Sequence, residues 1–63
     1  MTPLHDRFIN CKEVLHIVGL SRPHLYRLIA AGDFPVPVKL GCAARWSLNA
    51  VQEWMARKVR EAA

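Results

Sequence analysis

GLSRPHLYRLIAAG, residues 19–32, reads as a tight turn feeding a short, capped, basic helix. Ser21 suits the N-cap position, where its hydroxyl accepts an orphan N–H of the first helical turn. Pro23 falls in that first turn, where a missing N–H costs nothing. Gly32 can take the left-handed conformation that closes a helix. Leu25, Leu28 and Ile29 form an apolar stripe at helical spacing. Steps of about 100° per residue put Pro23, His24, Arg27 and Ala31 on the opposite face. Arg22 projects near the apolar side, at the open N-terminal end of the helix. No acidic residue occurs between Glu13 and Asp33. A short helix with a cationic outer face and a free N-terminus has what reading the major groove of DNA requires.

Upstream, Asn10 and Glu13 have the spacing of an N-terminal capping box. Cys11, Val14, Leu15 and Val18 follow at i, i+3, i+4 and i+7, so the pattern predicts an amphipathic helix over 11–18 that stops at Gly19. Gly19, Leu20 and Ser21 have the length and composition of a helix-turn-helix joint, with Leu20 as the corner plug. Before the first helix, Phe8 and Ile9 are a short apolar pair, either a strand fragment or a staple onto the helix. Residues 1–7 lack periodicity and are expected to form a flexible arm.

Downstream of Gly32 the period changes to two. Phe34, Val36, Val38 and Leu40 alternate with Pro35, Pro37 and Lys39, which predicts an edge strand with one apolar face. Gly41, Cys42, Ala43 and Ala44 are assigned to the turn, and a short return strand ends at Arg45 and Trp46. The resulting hairpin must pack on the helices, because two strands alone are marginal in water. Ser47 caps a last helix whose core stripe is Leu48, Val51, Met55 and Val59, widened by Trp54. Its C-terminal Arg57, Lys58 and Arg60 suit the negative end of the helix dipole. Trp46 and Trp54 are expected to pack together as core aromatics.

The 63 residues make one domain near the lower size limit for folding without disulfides or metal. Apolar residues make up 52%, enough for a real core. Nine Lys and Arg against five Asp and Glu give a net charge of +4, which points to an anionic partner, most simply nucleic acid. Neither a bilayer-spanning run nor a secretion signal is visible, so a cytoplasmic location is expected and no membrane is needed. Cys11 and Cys42 are then expected as unlinked reduced thiols. With no C-x-x-C pair and Cys11 on an apolar helix face, neither metal nor cofactor is expected. Scattered carboxylates and the absence of a Gly-rich phosphate loop argue against an enzyme.

K-E-V at Lys12 to Val14, G-L-S-R at Gly19 to Arg22 and L-Y-R-L-I at Leu25 to Ile29 together resemble the AlpA family of prophage regulatory proteins, small relatives of the MerR-like winged-helix group and of phage excisionases. F-P-x-P-V-K-L at Phe34 to Leu40 and the pair Trp46 and Trp54 extend the likeness over nearly the whole chain. The sequence departs from the family at Pro23, where relatives usually carry Ser or Thr, and between Gly41 and Trp46, which is short and poor in positive charge. The resemblance implies a site-specific DNA binder, either a prophage transcription regulator or an accessory factor for excision.

The expected fold is therefore mainly α with a small β-hairpin, a winged helix-turn-helix. The expected partner is double-stranded DNA, bound without cofactor by a monomer or by a cooperative oligomer. Ser21, Arg22, His24 and Arg27 would meet the major groove or its flanking phosphates. Lys39 and Arg45 would touch the backbone from the wing, and Lys12 from the start of the first helix. The rival is a small protein-interaction module that docks on an integrase-type recombinase or on RNA polymerase.

Overall fold

A computed structural model describes residues 6–62. In chain order it consists of β1 (Phe8–Ile9), α1 (Cys11–Val18), α2 (Arg22–Ala30), β2 (Val38–Leu40), β3 (Ala43–Ser47) and α3 (Leu48–Ala62). The capping box of α1 is complete. The Asn10 side chain accepts the Glu13 amide at 2.8 Å, and the Glu13 carboxylate accepts the Asn10 amide at 3.3 Å. At the far end the Gly19 amide donates to the Leu15 carbonyl at 2.8 Å. Two residues later Ser21 starts α2, its hydroxyl oxygen accepting the His24 amide at 3.4 Å. α2 ends in a Schellman closure: the Gly32 amide bonds the Ile29 carbonyl at 3.0 Å and the Asp33 amide bonds the Leu28 carbonyl at 2.8 Å. That closure needs a left-handed residue, and Gly32 supplies it with φ +77°.

The strands form one antiparallel sheet in the order β1-β3-β2. With the helix-turn-helix pair before the hairpin and α3 after it, this is a winged helix-turn-helix fold. Of the two readings of Phe8 and Ile9, strand fragment or staple, the strand is the one observed. Phe8 and Ile9 pair with Ser47 and Trp46, so the residues before α1 become an edge of the wing sheet. Ile9, Val14, Leu25, Phe34, Trp46, Val51 and Trp54 make the core, so every element except β2 contributes a side chain.

Three expectations are corrected. β2 is shorter than the alternation over 34–40 predicts, because Pro35 and Pro37 have no N–H to extend a ladder. Phe34 turns inward while Val36 stays 68% exposed. The turn is also tighter than Gly41 to Ala44. Leu40 pairs with Ala43, leaving Gly41 and Cys42 as a two-residue connection with Gly41 at φ +65°. A glycine at the first central position is the type II′ preference, whose twist matches that of the flanking strands. Val59 lies 69% exposed, because α3 runs past the core, which ends on this helix at Met55.

Segment 33–37 is held by two indoles. Trp54 Nε1–H donates to the Asp33 carbonyl at 2.6 Å, and Trp46 Nε1–H donates to the Pro35 carbonyl at 3.0 Å. The ring partner of Trp54 is Phe34, edge to face with centroids 4.7 Å apart. The Asp33 carboxylate meets Lys58 at 2.9 Å, and this hydrogen bond raises the Lys58 pKa above its ordinary value.

The start of α3 is capped from the other end of the chain. The Leu48 amide donates to the Arg7 carbonyl at 2.9 Å, and the Asn49 amide to Asp6 Oδ1 at 3.0 Å. The Ala50 amide bonds the Ser47 hydroxyl oxygen at 3.1 Å, and that hydroxyl donates to Asp6 Oδ2 at 2.6 Å. Residues 1–5 of the expected arm lie outside the described residues, whereas Asp6 and Arg7 are tied to α3 by these bonds.

Truncating Trp54, which is 9% exposed, should cost ~3–5 kcal/mol in chemical denaturation of Trp54→Ala. An unchanged midpoint would remove the ring from the core. The Asp6 carboxyl is held below its ordinary pKa, first by the Ser47 hydroxyl and then by the Asn49 amide. Stability from charged Asp6 is therefore complete above the ordinary carboxylate range and is lost as pH falls through the lowered folded value. Asp6→Asn should lower the melting temperature at neutral pH and make its acid decline shallower than in the wild type. Superimposable melting curves across pH would overturn the cap.

Candidate nucleic-acid interface

The sequence of α2 leaves its outward face cationic, and the fold keeps it open. Leu25 alone is fully buried, Leu28 and Ile29 pack against the core, and His24, Arg27 and Tyr26 are exposed. Ser21 spends one acceptor lone pair on the His24 amide and keeps its O–H for donation. Arg22 lies back over α1, its Nη1 donating to the Cys11 sulfur at 3.3 Å. That contact ties a side chain from the first turn of α2 to the first residue of α1, and Lys12 next to it in sequence is exposed. Among the described residues the ion pairs join Arg7 to Glu13 and Lys58 to Asp33 and Glu61. Lys12, Arg22, His24 and Arg27 therefore have no acidic partner within 4.0 Å there.

The wing does not bring its two cations together. In the β2–β3 register Lys39 stands opposite Ala44, and Val38 opposite Arg45. Directly opposed residues share a face and neighbours along a strand alternate, so Lys39 and Arg45 lie on opposite faces. Lys39 is on the face of Ala44 and buried Trp46, which packs on the helices. Arg45 is on the outward face with exposed Phe8, Val38 and Leu40, and its Nη1 donates to the Ala44 carbonyl at 3.0 Å. One-residue alternation carries this information, and it was present in the sequence once the turn was placed at Gly41 and Cys42.

Two residues outside the expected set also come forward. Arg7 and His16 line a cleft of about 470 Å³ with Lys12, Glu13 and Ile17. The spacing of Lys12 and His16, four residues apart on one helix, was a readable signal for His16. Cys11 is half-buried and Cys42 exposed, and both are free thiols. Among the described residues no group of three or more His, Cys, Asp or Glu is placed to hold a metal ion. No helix among them is long and apolar enough to cross a membrane.

Comparison with known proteins adds two findings. Residues 7–59 match the family described as prophage CP4-57 regulatory protein (AlpA). An uncharacterized protein, ORF88 of Enterobacteria phage P4, is 42% identical over 55 residues. That alignment covers 86% of this chain and 62% of the phage protein, so the chain spans less than two thirds of its relative. No solved structure matches the chain significantly.

Because the side chains around Cys11 and Cys42 are complete without a bond, melting should be indifferent to both reductant and chelator. A drop in melting temperature with dithiothreitol would reveal a disulfide, and a drop with EDTA a structural metal.

Proposed function

The chain belongs to the family of the prophage regulatory protein AlpA, and from that premise we propose that it is a phage-type regulator binding double-stranded DNA through α2. The observation that carries this reading is the set of exposed side chains on α2, where Arg22, His24 and Arg27 meet no acidic counter-charge among the described residues. The N-terminal residues of a recognition helix go deepest into the major groove, so Arg22 and His24 would read bases while Arg27 reads a base or a flanking phosphate. Arg22 first leaves Cys11, a weak acceptor whose loss costs little. The Ser21 hydroxyl, Lys12 and Lys39 would hold backbone phosphates. Arg45, on the outward sheet face, is not assigned to DNA. No cofactor takes part, and binding needs no catalytic group. A cytoplasmic protein controlling transcription or excision would use this one surface for either task. So small a domain covers little DNA, which favours tandem copies on a longer site.

Docking on a recombinase or on RNA polymerase is the second reading, favoured by exposed Phe8, Val38 and Leu40 around Arg45 on the outward sheet face. Both uses are compatible, since the two surfaces are separate.

The test begins by selecting preferred duplexes from a random library. Binding of the wild type, Arg22→Ala, Arg27→Ala and Lys39→Ala is then measured on selected and scrambled duplexes over a range of salt. Loss of a base-reading arginine should cost ~1–3 kcal/mol on the selected duplex and relax preference at one base position. Lys39→Ala should weaken both duplexes alike and reduce the slope of log affinity against log salt by about one. If none of the three changes affinity, α2 is not the DNA surface and the docking reading takes its place.

A further inference from the structure

We propose that the cleft between Arg7 and the outer face of α1 seats one backbone phosphate of the bound duplex, held by Lys12 and His16 with Arg7 behind them. The proposal rests on the DNA-binding reading and extends it to a second element. The cleft is lined by Arg7, Lys12, Glu13, His16 and Ile17. Lys12 and His16 stand one helical turn apart on the same face, and both are exposed. Among the described residues neither has an acidic partner within 4.0 Å. The one carboxylate on the wall is already engaged. Glu13 Oε1 accepts the Asn10 amide at 3.3 Å, and Oε2 lies 3.6 Å from Arg7. Half-buried Ile17 packs against the core and leaves the inner wall without a further acceptor.

Position gives this cleft its meaning. The Arg22 guanidinium reaches the Cys11 sulfur, so a side chain from the reading end of α2 touches the first residue of the helix that carries Lys12 and His16. When a second helix enters the major groove, the first helix of the pair crosses the sugar–phosphate backbone. A phosphodiester there meets an ammonium and an imidazole N–H, the kinds of donor that phosphates take. Arg7 adds a reserve cation. Its pairing with Glu13 is exposed, with side chains 60% and 44% accessible, and an exposed pair of this kind holds its partners weakly.

The test uses the selected duplex and three variants at exposed positions, Lys12→Gln, His16→Glu and His16→Lys, with circular dichroism melts confirming that each folds as the wild type. Lys12→Gln and His16→Glu should weaken selected and scrambled duplexes alike, and Lys12→Gln should lower the salt slope by about one. His16→Lys should restore or exceed wild-type affinity. Single phosphates flanking the site are then replaced by neutral methylphosphonate, one at a time. One position should weaken the wild type and have little further effect on His16→Glu. If the wild type binds DNA through Arg22 and Arg27 while His16→Glu and Lys12→Gln bind as well as wild type, the cleft is not a phosphate seat and the DNA reading stands alone. If His16→Glu loses affinity yet stays sensitive to every methylphosphonate, the effect is long-range repulsion and the phosphate seat is overturned. If the wild type binds no duplex, both fall together.

Discussion

The two indole hydrogen bonds to segment 33–37 are the constraint on which the other parts depend. Pro35 and Pro37 deny this stretch a strand ladder, and its carbonyls need partners from elsewhere. Trp54 reaches from α3 to the Asp33 carbonyl, and Trp46 reaches from β3 to the Pro35 carbonyl. With Phe34 locked edge to face on Trp54, the connector between α2 and the wing is fixed at three successive points. The orientation of α2 against the sheet follows, and with it the direction of Arg27 and His24. A chain this small has few layers to share such a task, so the tryptophans act at once as core and as polar anchor.

Closure at the opposite end uses the same economy. Four N-terminal amides of a helix lack intrahelical partners, and three of those in α3 are met by Arg7, Asp6 and Ser47. These bonds hold β1 beside β3, which gives the wing its third strand and lets Ile9 close the core over Trp46. The helix-turn-helix pair is thus clamped between a strand before it and a helix after it.

Charge follows from this structural work. Of the five acidic residues, Asp6 caps α3, Glu13 completes the box of α1, and Asp33 and Glu61 meet Lys58; Glu53 is the one left, on α3. Nearly every carboxylate is spent on holding elements, and none of the four engaged ones opposes α2. Half of the net charge of +4 therefore sits on α2, as Arg22 and Arg27 with no acidic residue in that helix, and the wing cations Lys39 and Arg45 carry as much again.

Local interactions are what the sequence by itself determined. Asn10 with Glu13, Ser21 with Pro23, and the stripes of α1 and α2 are satisfied within a few residues, so their spacing alone located both helices, the joint between them and the cationic face. The Trp46 and Trp54 positions likewise marked the core. Tertiary structure decided whatever needed a distant partner. Phe8 and Ile9 became a strand only because Ser47 and Trp46 came to lie beside them, and Asp6 became a cap only when α3 started next to it. Val36 and Val59 matched their periodic patterns yet stayed exposed, because a pattern states which face is apolar and not how far the core extends. The separation of Lys39 from Arg45 had the same origin: strand register is set by the turn, and one residue of shift exchanges the two faces of the sheet.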